Sequence, residues 1–209
     1  MVKAKFDYLI TEIDQDFDIA WLGTFTALKI PDITYTKVED IDQTSQNQST
    51  PLSNYAAQSF TPSFSGFLTS LECYMSITWT ASGATTVATT TVDIVEDAGG
   101  KPSNSVIGTG SLIKNSSASP QSDTDWQTFI FDATKPIYFE KDKKYWLVMP
   151  QDAQTGADTK FTVRDWHYQD TNVYSGGELA HSTTGTSNWT VDTAKDHAFR
   201  IDISTASVS

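Results

Sequence analysis

The feature that most limits what this chain can fold into is a succession of short strand signals, each closed by turn residues, running from Ala57 to Ile203. Leu71, Cys73, Met75, Ile77 and Trp79 alternate with Glu72, Tyr74, Ser76 and Thr78, the period of two that a half-buried strand requires. A β-branched run comes next over residues 86–96. Asp97-Ala98-Gly99-Gly100-Lys101-Pro102 then turns the chain, because adjacent glycines accept positive φ and proline fixes the exit. Further strands are predicted over residues 105–112, 145–149, 161–164 and 198–203, with a polar loop over 114–124 and a Gly/Ser/Thr-rich stretch over 170–190. Trp126, Thr128 and Ile130 alternate with Gln127, Phe129 and Phe131. Aromatics stand in both sets, which allows cover on both faces. Strands separated by turns rather than helices predict an all-β, antiparallel sandwich.

Composition bounds the partners. The 209 residues carry a net charge of −12, so nucleic acid and anionic membranes repel the chain. No run approaches the ~20 apolar residues of a membrane helix, and no membrane insertion is expected. The first residues lack the basic start and apolar core of a secretory signal. The single cysteine, Cys73, excludes an intrachain disulfide and falls on the apolar side of its strand, as a small buried hydrophobe would.

Residues 1–37 differ in character from the remainder of the chain. Phe6, Tyr8, Ile10, Phe17 and Trp21 belong to a dense apolar set interrupted by acidic residues, which predicts an N-terminal docking arm. Residues 38–53 are polar and closed by a proline, the composition of a linker. The sandwich domain is expected over 54–209.

The strand region resembles a jelly-roll module of phage and microbial surface proteins, of the choice-of-anchor type, similar in shape to carbohydrate-binding modules. The matching residues are Ala57-Gln58-Ser59-Phe60-Thr61, Gly99-Gly100-Lys101-Pro102-Ser103, Trp126 with Phe129, and Lys144-Tyr145-Trp146-Leu147-Val148. Tyr174, Gly176 and Gly177, with Ala198-Phe199-Arg200-Ile201, complete the set. The resemblance covers residues 54–203 and implies a jelly-roll β-sandwich in a virion or other surface setting, with no catalytic residues to carry over.

Motifs for chemistry are sparse. Three histidines, His167, His181 and His197, have no zinc-ligand spacing. Neither a Gly-x-Ser-x-Gly elbow nor a phosphate loop occurs. Asp14, Asp16 and Asp18 open like a calcium loop, but Ile19 and Phe25 break the pattern. Asp93, Glu96 and Asp97 are candidate ligands of a structural calcium, joined by Asp192 or Asp196. Trp166, Tyr168, Tyr174, Asn188 and Trp189 cluster in the loop-rich stretch. Flat aromatic faces stack on sugar rings while amides fix hydroxyls, so this set is a candidate glycan platform. The other reading is that Trp166 and Trp189 close the end of the core.

These observations lead to the expectation of a virion structural protein from a phage or archaeal virus particle, without catalytic residues. It would be a tail, baseplate or capsid decoration component that contacts other virion proteins and displays the sandwich, with host surface glycan as a further partner. Homo-oligomers are expected, trimers if it builds fibres. The alternatives are a stand-alone carbohydrate-binding module and a glycan-degrading enzyme.

Overall fold

Side-chain alternation sets the strands, and backbone pairing extends them beyond what alternation shows. The computed structural model describes residues 33–51, 54–79, 86–116, 121–150 and 161–208. Phe6, Tyr8, Ile10, Phe17 and Trp21 of the expected arm lie outside them. The described residues belong to a unit running from Ile33 to Ser209, and every regular element among them is a strand. In chain order these are β1 (Ile33–Gln43), β2 (Gln48–Pro51), β3 (Tyr55–Phe60), β4 (Gly66–Trp79), β5 (Thr86–Asp97), β6 (Pro102–Ser116) and β7 (Gln121–Thr128). They continue as β8 (Tyr138–Phe139), β9 (Tyr145–Met149), β10 (Phe161–Gln169), β11 (Leu179–Ser182), β12 (Thr190–Asp192), β13 (Asp196–His197) and β14 (Phe199–Val208).

They form two antiparallel sheets. The six-stranded sheet has the order β12-β11-β3-β9-β5-β6. The eight-stranded sheet is organised by β4, which is long enough to take two partners on each edge. On one edge Phe67–Cys73 faces β14 and Met75–Trp79 faces β10; on the other, Gly66 and Phe67 face β8 while Glu72–Trp79 faces β7. At the junction between β14 and β10, the Tyr74 N–H donates to Ala198 O (3.2 Å) and the Ala198 N–H donates to His167 O (2.9 Å).

Two stretches differ from the sequence expectation. Within the expected linker over 38–53, the residues up to Gln43 and Gln48–Pro51 are strand, and so are the described residues of the arm from Ile33 onward. β1 pairs with β14 from Ile33↔Val208 to Gln43↔Phe199, and β2 pairs with β10 over Asp165–Tyr168. A backbone ladder is indifferent to side-chain polarity, and Ile41 is the buried apolar residue that anchors this end of β1. The polar loop over 114–124 is likewise shortened, because β6 runs to Ser116 and β7 starts at Gln121, both in ladders with β5 and β4.

The core lies between the sheets. Leu71, Cys73, Met75 and Ile77 of β4, with Phe199, Ile201 and Ile203 of β14, meet Phe60, Val92, Ile94, Tyr145 and Leu147 of the other sheet. Cys73 is fully buried. Burial, then the charge of Glu72, pushes its thiol well above the ordinary range, which removes it as a nucleophile. Phe129 is buried and Ile130 is exposed, so the strand predicted near them is covered on one side there.

The outer face of the six-stranded sheet also carries an apolar cluster. Ala57, Val95, Trp146, Val148 and Ala180 gather with Trp189. Trp146 Nε1 donates to Asp97 Oδ1 (2.7 Å), and the Gly100 N–H donates to Asp97 Oδ2 (2.9 Å). One carboxylate thus ties the β5–β6 turn, with Gly99 and Gly100 at positive φ, to the central strand.

The segment 174–178 docks on β3. Ser59 N–H donates to Glu178 O, Glu178 N–H donates to Ser59 Oγ, and the Tyr174 hydroxyl accepts from Thr61 N–H. The approach is so close that a Cβ on Gly177 would stand 2.4 Å from Ser59 O. Gly177→Ala is therefore expected to lower stability by about 1–3 kcal/mol, read as a lower urea midpoint. An unchanged midpoint would show that the segment does not pack this closely.

Candidate functional site

The site begins with a buried polar residue in β3. Gln58 lies between Ala56 and Phe60, and it is fully buried. An uncompensated amide there would be costly, so its partners decide the local structure. Gln58 Nε2 donates to Asp196 Oδ1 (3.1 Å), and Gln58 Oε1 accepts from His197 N–H (2.7 Å). Asp196 Oδ2 accepts from the Val173 and Tyr174 N–H groups (3.0 and 2.9 Å). One carboxylate and one amide thus join the two sheets and fix the start of the 174–178 segment. Burial nevertheless raises the Asp196 carboxyl above its ordinary range, against the three hydrogen bonds that stabilise its ionised form.

His197 is buried beside them. Its ring stacks on Trp166 with centroids 4.0 Å apart and planes 8° off parallel, and Trp166 Nε1 donates to Ala198 O (3.0 Å). Burial drives the His197 imidazole down to about 3, so the ring is neutral. A second polar link crosses the core where the buried Arg164 guanidinium donates to Thr90 Oγ1.

Above this floor lies a cleft of about 250 Å³. The six-stranded sheet contributes Tyr55, Ala56, Leu179, Ala180, His181 and Asp192. The opposite side is made by Tyr168, Lys195 and His197, and Asn54 lies at its start. Asp192–Lys195 is a tight turn in which the Ala194 N–H donates to Asp192 Oδ1 (3.0 Å) and Lys195 Nζ meets Asp192 Oδ2 (3.0 Å). The Leu179 N–H donates to Lys195 O, pinning the turn to β11. The ammonium stands 5.8 Å from the centre of the Tyr168 ring. Hydrogen bonding to Lys195, first among several causes, holds the Asp192 carboxyl below its ordinary range, and the same bond raises Lys195. The cleft therefore presents a fixed carboxylate, a fixed ammonium and an aromatic wall side by side.

The five residues of the expected glycan platform scatter. Trp166 is 0% exposed and Trp189 is 5% exposed. Trp166 stacks on His197 in the core between the sheets, and Trp189 is buried in the outer cluster with Trp146. Tyr174 is half-buried, its ring edge-on to Phe199 (5.7 Å). Asn188 is exposed at φ 57°, a left-handed position that asparagine tolerates better than most residues. Tyr168 alone of the five lines the cleft.

The candidate calcium ligands are occupied separately. Asp93 accepts from Thr109, Glu96 pairs with Lys143, and Asp97 holds Trp146 and Gly100. Asp192 and Asp196 hold the cleft and the buried clamp. Among the described residues no three His, Cys, Asp or Glu side chains gather as a metal site.

One arrangement had no signal in the sequence. Ser76 Oγ lies 2.7 Å from His167 Nε2, and His167 Nδ1 lies 3.0 Å from Gln46 Oε1, the order of a nucleophile, a base and its orienting group. Ser76 is mid-strand, opposite Asp165 and Thr124. Backbone N–H groups there point along the sheet plane, so they cannot serve an oxyanion above it. The chain Thr124–Ser76–His167–Gln46 acts instead as a hydrogen-bonded ladder that ties the β1–β2 loop across β10 and β4 to β7.

Comparison with known proteins finds no matching family and no matching curated sequence.

The buried imidazole makes stability pH-dependent. Its folded pKa lies below the unfolded value of about 6.5, so its contribution is complete above that value. It is lost as pH falls through 6.5 toward 3, at up to about 1.4 kcal/mol per pH unit. Half-buried His167, lowered by desolvation, adds in the same direction. Asp196, raised by burial, works oppositely at the acid end. Urea unfolding at pH 7.5 and 5.0 should show a marked loss for the wild type and a smaller loss for His197→Gln. Equal losses would contradict a neutral buried His197.

Proposed function

We propose that this chain is a non-catalytic display and attachment module of a virion, in which the two-sheet body presents its cleft to host surface glycan. The observation that carries the reading is the juxtaposition of Tyr168 with the Lys195–Asp192 pair. Sugar sites combine an aromatic surface with a few well-placed polar groups. The sandwich is wound as a jelly roll. That winding is supported by a chain that passes repeatedly between sheets, from β3 to β4, on to β5 and β6, then to β7 and β8, and then to β9 and β10.

The virion setting rests on the sequence resemblance and on the apolar set within residues 1–32, which docks on neighbouring virion proteins in a tail, baseplate or capsid decoration. Burial of each large side chain there supplies about 1.5–3 kcal/mol before ordering costs. Self-association, as a trimer in a fibre, belongs to the same reading.

Two measurements test it. The purified protein is expected to bind a subset of immobilised glycans on an array without releasing reducing sugar. Absence of binding would contradict attachment, and sugar release would contradict a non-catalytic module. Deleting residues 1–32, which spares β1, is expected to abolish incorporation into particles while leaving the thermal transition in place. Normal incorporation would remove the docking role.

A further inference from the structure

We infer that the cleft between Tyr168 and the Asp192–Lys195 turn recognises one terminal, uncharged sugar ring through two adjacent hydroxyl groups. This deepens the attachment reading and rests on it.

Size is the first argument. At about 250 Å³ the cleft falls below the ~300–1,000 Å³ of sites that enclose drug-sized ligands. It holds a single ring and its hydroxyls rather than a stretch of polymer.

Polar geometry is the second. A vicinal diol offers a donor and an acceptor side by side. Asp192 Oδ2 and Lys195 Nζ offer an acceptor and a donor 3.0 Å apart. An ammonium carries three N–H donors and a carboxylate has acceptor capacity at both oxygens, so the pair can bind hydroxyls without separating. The turn is held by the Ala194–Asp192 and Leu179–Lys195 hydrogen bonds, which lowers the ordering cost of binding. The exposed His181 lines the same cleft as Asp192 and supplies a further polar group at the rim.

Charge is the third. Lys195 is already under the influence of both Asp192 and Asp170, on a chain of net charge −12. A ligand carboxylate would meet a cation already compensated by Asp192. An acidic sugar is therefore disfavoured and a neutral one accepted, with Tyr168 and Tyr55 beside its apolar edges.

The test uses the full chain and soluble methyl glycosides of mannose, galactose and glucose, with N-acetylneuraminic acid as the acidic probe, in a ligand-observed NMR titration. At least one neutral glycoside should bind saturably and more tightly than the acidic sugar. Lys195→Gln and Asp192→Asn should each weaken it about tenfold, the loss expected for a charge-assisted hydrogen bond. Both side chains sit in a surface turn, and thermal unfolding checks that each variant folds. Preference for the acidic sugar, or affinity unchanged in both variants, would overturn the inference. Binding of polymeric glycans on the array with no monosaccharide binding would also overturn it, while leaving the attachment reading intact. Failure to bind any glycan in either format would overturn both.

Discussion

The hydrogen bonds that Gln58 makes with Asp196 and His197 hold together the parts of this protein that matter most for its proposed role. Apart from the Arg164–Thr90 hydrogen bond, the described contacts in the core between the sheets are mainly apolar, which is strong but does not fix direction. A buried amide and carboxylate are satisfied in few geometries. They set the position of β13 against β3. Through Asp196 Oδ2 they also set the segment that begins at Val173. Trp166 stacks on the neighbouring His197, and the placement of His197 and Lys195 determines the wall of the cleft.

The same residues explain why certain short motifs stand out in the sequence. Ala57-Gln58-Ser59-Phe60 is an inner strand whose every side chain is buried. Tyr174, Gly176 and Gly177 belong to the segment that lies on it. Lys144–Val148 includes the central strand that Asp97 ties to the glycine turn. These motifs report packing, and the groups that face ligand in the proposed site are elsewhere.

Much of the fold was legible because its physics is local. The alternation of Leu71, Cys73, Met75 and Ile77 survives as a buried row, and the paired glycines make the turn that positive φ demands. The edge strands were not legible, since β1, β2 and the start of β7 are placed by backbone pairing, which leaves no side-chain pattern to read. The residues of the glycan platform lie apart for a different reason. A tryptophan in a polar stretch does not reveal which of its faces is free; Trp166 stacks on His197 and Trp189 is buried in the outer cluster, neither of which a local pattern indicates. The cleft was out of reach too. Tyr55 precedes the first motif and Lys195 precedes the last, and only the antiparallel pairing of β11 with β3 and β12 brings them together. The local sign was the Asp192 and Lys195 spacing, a common surface turn by itself.

The central claim is that Gln58 and Asp196 act as one unit. A double-mutant cycle with Gln58→Ala, Asp196→Ala and the combined variant, measured by urea unfolding at neutral pH, tests it most directly. The account predicts a coupling energy of about 1–3 kcal/mol. Single-variant losses that add to within about 0.5 kcal/mol would show that the two side chains stabilise the sandwich independently, and that the clamp is not what organises it.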